Sequence, residues 1–304
     1  MYSESLTEFH GQPVVDYRSS DDWQGSQITY RLRLDYDDDM SIGDLLESLA
    51  GEPGHEQLTG LIIGAWAGSC EGEGSAQTVE DLTEAAHHFP ALQHLFLGEM
   101  TVEECEISWI VQTDVSPVLN ALPQLESLRI RGGSELSFSL VRHNNLKELA
   151  IETGGLGRSV LREIFSCEFP QLERLELLLG DASYGFDGGV EDLQPLLAGR
   201  LFPKLTWLGL MNSEIANDIA AVVVNSPIVE RLKVLDLSMG NLDDEGARSL
   251  MGLSAFPNLE TLNISHHYVS ESTLDDLAKA IPCKLIADDR QEPDDDWRPI
   301  LHAE

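Results

Sequence analysis

The chain has 304 residues, 42% of them hydrophobic, and 53 acidic against 19 basic side chains give a formal net charge of −34. The apolar share is enough to fill a continuous core, while so negative a surface repels phosphate backbones and anionic bilayers, which excludes nucleic acid and membrane as partners. Three readings of the acid excess stay open: a basic protein or peptide partner, a merely soluble surface, or adaptation to a salt-rich cytoplasm.

The opening MYSESLTEFHGQP has no basic n-region and no apolar h-region, so no signal peptide is expected. No apolar run approaches the roughly 20 residues of a membrane span, and the expected location is the cytoplasm. Residues 1–27 read as an irregular cap. Residues 28–34 alternate like a strand, with Leu32 and Leu34 in the fourth and sixth positions of a degenerate first repeat, and 42–49 follow as a helix. The N-terminal cap with this first repeat thus spans 1–57.

From Leu58 a hexad, L-x-x-L-x-[LI], recurs in phase. It reads Leu58/Leu61/Ile63, Leu92/Leu95/Leu97, Leu125/Leu128/Ile130, Leu146/Leu149/Ile151, Leu172/Leu175/Leu177, Leu205/Leu208/Leu210, Leu232/Leu235/Leu237 and Leu259/Leu262/Ile264. One hexad is a weak signal, but eight at intervals of 21 to 34 residues identify a repeat array. Each supplies a short strand whose leucines point one way and whose intervening residues point the other. Helical patterns follow at 79–89, 116–121, 156–167, 190–198, 215–224, 243–253 and 270–281. Several end in Phe-Pro or Leu-Pro before the next hexad (Phe89-Pro90, Leu122-Pro123, Phe169-Pro170, Phe202-Pro203, Phe256-Pro257), where proline stops the helix and extends the chain. Strand, helix and return in order predict an α/β solenoid, a horseshoe with a parallel inner β-sheet and outer helices, over 58–287. Residues 283–287 add a last strand, and 288–304 form an acidic, disordered tail.

The clearest unit, LKVLDLSMGNLDDEGARSL at 232–250, strongly resembles the ribonuclease-inhibitor class of leucine-rich repeats. The resemblance covers roughly residues 58–281 and implies an intracellular, protein-binding solenoid. It departs in one respect: the family's asparagine or cysteine, three residues past the sixth position, is replaced by Met100, Ser213, Gly240 and His267, so a regular asparagine ladder is not expected. The whole chain also resembles a set of uncharacterised bacterial cytoplasmic leucine-rich-repeat proteins, through LTEFHGQPV at 6–14, LFLGEMTVEECEISWI at 95–110 and IETGG at 151–155. That likeness implies fold and location but no chemistry.

Four cysteines (Cys70, Cys105, Cys167, Cys283) lie far apart without CxxC or metal spacing and read as reduced thiols. The common nucleotide and hydrolase motifs are missing. The chain is therefore expected to be a non-enzyme without cofactor or metal.

Three long intervals place insertions on one rim, at 65–77, 99–109 and 180–189. Their candidate partner-binding residues are Trp66, then Glu103, Glu104 and Glu106, then Tyr184 and Phe186. The three glutamates could instead ligate a hard divalent cation; against that stands a solvated acidic turn with Ile107 and Trp109 packed inward. The carboxylates around Cys105 should raise its thiol pKa by repulsion. His266 and His267 are adjacent on an extended segment, so one is expected buried and one exposed. The concave face, formed by the third, fifth and seventh positions of each hexad, offers Arg129, Arg131, Arg174, Glu176, Leu178, Trp207 and Met211. These read either as an ion-pair ladder or as a site for a partner carboxylate with an apolar anchor, since exposed Trp and Arg are enriched at hot spots. The expected function is a monomeric, non-enzymatic protein-interaction module for a protein or peptide partner. The alternatives are a metal-dependent or enzymatic factor on the acidic loop, or a substrate for a modifying enzyme through the C-terminal tail.

Overall fold

Every leucine or isoleucine of the eight hexads is at most 3% exposed, which makes the hexad pattern the core of the molecule. A computed structural model describes residues 3–295 and 297–302. Its described residues fall into two compact units, 3–152 with 166–170, and 153–165 with 171–295 and 297–302.

In the first unit, strands β1 (Glu8–Phe9), β2 (Gln12–Asp16), β3 (Thr29–Leu32), β4 (Gly60–Ile63), β5 (His94–Leu97), β6 (Ser127–Arg131) and β7 (Glu148–Glu152) pair in chain order. Only β1 and β2 are antiparallel; every later pair is parallel. The hexads stack in register, with Leu61 opposite Leu95 and Leu95 opposite Leu128. Helices α1 (Ile42–Ala50), α2 (Ala76–Ala85) and α3 (Ser116–Ala121) make the crossovers. α1 starts at Ser41, whose Oγ accepts from the Asp44 N–H at 3.0 Å while Asp44 accepts from the Ser41 N–H at 2.7 Å, a capping box that satisfies two orphan donors.

The second unit repeats the scheme. Helix α4 (Arg158–Ser166) precedes β8 (Arg174–Gly180), α5 (Val190–Leu197), β9 (Trp207–Ser213), α6 (Ala216–Val223), β10 (Val234–Asp236), α7 (Asp244–Leu250), β11 (Thr261–Asn263), α8 (Glu271–Ala280) and β12 (Lys284–Ile286). All strand pairs from β8 to β12 are parallel, and Leu175, Leu208, Leu235 and Leu262 form one buried row that ends on the half-buried Leu285. Among the described residues no helix is long and apolar enough to cross a membrane.

Several expectations are corrected. The first repeat is set two residues earlier than Leu32 and Leu34 suggest: Tyr30 pairs with Leu61 and Leu32 with Ile63. A tyrosine fills the fourth position because its hydroxyl finds partners there, donating to the Gly25 carbonyl at 3.0 Å and accepting from the Gln24 N–H at 2.7 Å. The cap is not irregular, since β1 and β2 extend the sheet.

The described part of the acidic tail is packed rather than free; positions 296, 303 and 304 lie outside the described residues, as do 1 and 2 of the cap. Asn212, which holds a left-handed φ of 50°, accepts from the His302 N–H at 2.8 Å and donates to its carbonyl at 2.5 Å. Leu301 donates to the Met239 carbonyl, Tyr268 donates to the Pro299 carbonyl at 2.8 Å, and Ile300 is buried. Composition misleads here because a few anchored apolar and main-chain groups hold an otherwise acidic segment.

Candidate functional site

The residues between the leucines define a second face of each sheet, and in the first unit that face is largely covered. Ile62 and Phe96 are fully buried and pack with Phe9, with Leu6 and Val14 beside them. Residues 5–10 lie across this face. Leu6 donates its N–H to Glu99 Oε1 at 2.7 Å, and its carbonyl accepts from the Arg31 guanidinium. His10 stacks on His94 and is hydrogen-bonded to the Ser127 hydroxyl at 3.1 Å.

Beneath this segment runs a buried ion network. Arg31 reaches Asp16 at 2.8 Å and Glu99 at 2.7 Å. Arg131 holds Glu152 at 2.8 Å and also donates to the Met100 carbonyl, and Arg129 is the second guanidinium on Glu152. Burial opposes the charge on Glu152, but Arg131 and Arg129 outweigh it and hold the carboxyl below its ordinary range. Glu99 goes the other way: burial raises it despite the Leu6 N–H and the arginines. Both guanidinia also lie near the Phe96 ring, Arg129 at 5.8 Å and Arg131 at 5.2 Å from its centroid. Arg131 is therefore a buried structural cation and Arg129 a half-exposed one tied to Glu152.

In the second unit the corresponding face carries a platform. Arg174 and Trp207 occupy directly paired positions on β8 and β9, and the guanidinium lies 3.9 Å from the indole centroid. Glu176, buried, holds the same guanidinium. A Cβ on Gly209 would come within 2.7 Å of the Trp207 ring and 2.9 Å of Met211 Sδ, so this glycine is what lets both side chains close over the strand. Trp207 and Arg174 stay partly exposed, whereas Met211 is nearly buried and Leu178 is only 2% exposed. Leu178 is thus a packed residue and not the open anchor expected of it.

The rim residues separate in the same way. Trp66 is buried and donates its indole N–H to the Glu73 carbonyl at 2.8 Å, and Phe186 is buried while Tyr184 is partly exposed. Glu103 is exposed, whereas Glu104 binds Arg33 at 3.1 Å and accepts from the Thr101 N–H at 2.8 Å. Glu106 is half-buried beside Cys105. Among the described residues no group of three or more His, Cys, Asp or Glu side chains is arranged to hold a metal ion. The Cys105 thiol is pushed up to about 12, by burial first and then by Cys70 and Glu106, so burial and not carboxylate repulsion is the main cause.

Trp109 is 61% exposed, contrary to its expected inward packing, while Ile107 beside it is buried. Both His266 and His267 are buried. His267 replaces the missing asparagine of its turn: Nδ1 accepts from the Val269 N–H at 3.0 Å and Nε2 meets the Ala287 carbonyl at 3.2 Å. Sequence reasoning missed Tyr36, which is 91% exposed on the loop after β3, and the contribution of Phe9 and His10. No periodic signal marks them. In the LTEFHGQPV segment itself, an aromatic and an imidazole beside a glycine were the available cue.

A family model described as "FBD-associated F-box protein At5g56370, LRR repeats" matches residues 65–264. Among solved structures, a protein from Bacteroides fragilis is similar at 34% identity, covering 90% of this chain and 76% of that one, with a TM-score of 0.81. An internalin from Listeria monocytogenes is 14% identical over 90% of this chain and 86% of its own, with a TM-score of 0.33. The leucine-rich-repeat domain of APL1 is 13% identical over 86% and 64%, with a TM-score of 0.30. No curated protein matches the chain. The hexads, parallel strands and helical crossovers agree with the match to the family model, and the chain belongs to the leucine-rich-repeat family.

Proposed function

We propose that the protein is a monomeric, non-enzymatic interaction module that captures a protein or peptide partner on the open face of the second unit. One observation carries this reading: an arginine and a tryptophan, both partly exposed, are stacked at 3.9 Å on neighbouring strands. The stack is held in place by buried Glu176 and by the space over Gly209. Large rigid aromatic area and an oriented guanidinium are the groups that dominate interface energetics. Arg174 is partly exposed, which suits a partner carboxylate, with the indole of Trp207 supplying apolar contact over buried Met211.

The rim residues Glu103 and Tyr184 are secondary contacts in this reading. The buried Trp66, Phe186, Leu178 and Arg131 act through packing. Arg129→Glu is not a clean surface probe, because it would set a carboxylate against Glu152. The test is a pull-down from the native host with the full chain as bait, followed by mass spectrometry. Trp207→Ala and Arg174→Gln, the latter keeping an amide donor for Glu176, are each expected to lower recovery of the specific partner about tenfold or more while the chain stays folded. Equal recovery by both folded variants overturns the proposal.

A further inference from the structure

The repeat pattern has no place for the segment that crosses the first unit's sheet. In an ordinary edge strand the main chain bonds to the main chain of its neighbour. Leu6 instead has its N–H read by the Glu99 carboxylate and its carbonyl read by the Arg31 guanidinium. Both readers are buried side chains. Such contacts address an extended backbone whatever its sequence, as in grooves that bind peptides by their main chain.

Specificity would come from two further contacts. Phe9 enters the socket made by Ile62 and Phe96, and His10 lies on the His94 ring at 3.8 Å between centroids. Attachment of the segment is thin. Of residues 3–10 only Phe9 is buried; β1 makes two residue pairs with β2, Glu8 with Pro13 and Phe9 with Gln12, and the Thr7 carbonyl accepts from the Val14 N–H at 3.0 Å. The turn that follows holds two left-handed residues, His10 at φ 47° and Gly11 at φ 77°. Without this segment Ile62 and Phe96 would lose Phe9 and Leu6 and keep Val14 beside them, an opened apolar socket next to the Arg31–Glu99 ion pair.

We propose that this face is a peptide-recognition groove occupied in cis by residues 5–10, and that it is therefore autoinhibited. Its ligand in trans is an extended peptide with an apolar residue three positions before a phenylalanine that is followed by histidine. The groove's own charges are paired, so the ligand is selected by shape and main-chain hydrogen bonds and not by net charge. This site is separate from the Arg174–Trp207 face, and the failure of either leaves the other standing.

A tethered occupant competes at an effective concentration in the millimolar range, and a ligand's apparent affinity falls with the fraction of open groove. The experiment uses the full chain and a fluorescein-labelled peptide of sequence SESLTEFHGQ, followed by fluorescence anisotropy. The Phe9→Ala/His10→Ala chain is expected to bind it about tenfold or more tighter than wild type. Adding Phe96→Ala to that chain should abolish binding, as should replacing the peptide's phenylalanine by alanine. No saturable binding to the folded double variant overturns the proposal. Should that variant fail to fold, hydrogen exchange on wild type decides. Amides of residues 5–10 that open well before those of β4–β6 support a displaceable occupant; amides that open only with global unfolding mark a fixed cap and overturn it.

Discussion

The imidazoles of His10 and His94 are stacked within 7° of parallel, joining the turn after β1 to the start of β5. Burial first, and then His10, bring the His94 pKa down to about 4. The unfolded value is about 6.5. A folded pKa below the unfolded one favours the neutral ring, so its contribution is complete above pH 6.5 and is lost as pH falls through about 4. Urea midpoints at neutral pH and near pH 4 should therefore fall more in wild type than in His94→Gln. Carboxylates such as Glu152, held low by their arginines, titrate in both proteins and cancel in the comparison. Equal falls in the two proteins contradict the assignment.

Glu152 carries two guanidinia at the floor of the first unit. Glu152→Gln leaves Arg131 buried with an uncharged partner, and the expected loss of stability is about 3 kcal/mol. Chemical denaturation measures it. A loss within the range of an exposed pair, under about 1 kcal/mol, would mean that the network does not hold this part of the sheet.

Gly209 leaves no room for a methyl group beneath Trp207 and Met211. Gly209→Ala should displace the indole, cost about 1–2 kcal/mol by overpacking, and lower partner recovery alongside Trp207→Ala. Recovery at the wild-type level would show that the flat lie of the ring is irrelevant to capture.

Asn212 bonds both main-chain groups of His302. Asn212→Ala removes two hydrogen bonds worth about 1 kcal/mol each, so tryptic cleavage at Arg290 should accelerate roughly thirtyfold. The rest of the chain should stay resistant. Unchanged cleavage would place the anchoring of the tail elsewhere, at Ile300 or at Tyr268 with Pro299.

The leucine hexads made the strands and the helical crossovers legible, because every repeat must bury the same three positions against its neighbours. β3 lies two residues earlier than the leucine spacing predicts because Tyr30, not a leucine, takes the fourth position and satisfies its hydroxyl locally. The open-face positions were assigned to the right strands, yet Arg131 and Leu178 proved buried. Side-chain period tells which face a residue joins, not what covers that face. In the first unit the covering came from Phe9 against Phe96, a contact between distant segments that leaves no periodic trace.

The most direct test of the interaction face is hydrogen–deuterium exchange of the full chain, alone and with its captured partner. Added protection concentrated in β8 and β9, around Arg174 and Trp207, is the predicted result. A stable complex that leaves those strands unprotected, with protection confined to other surfaces, would contradict it.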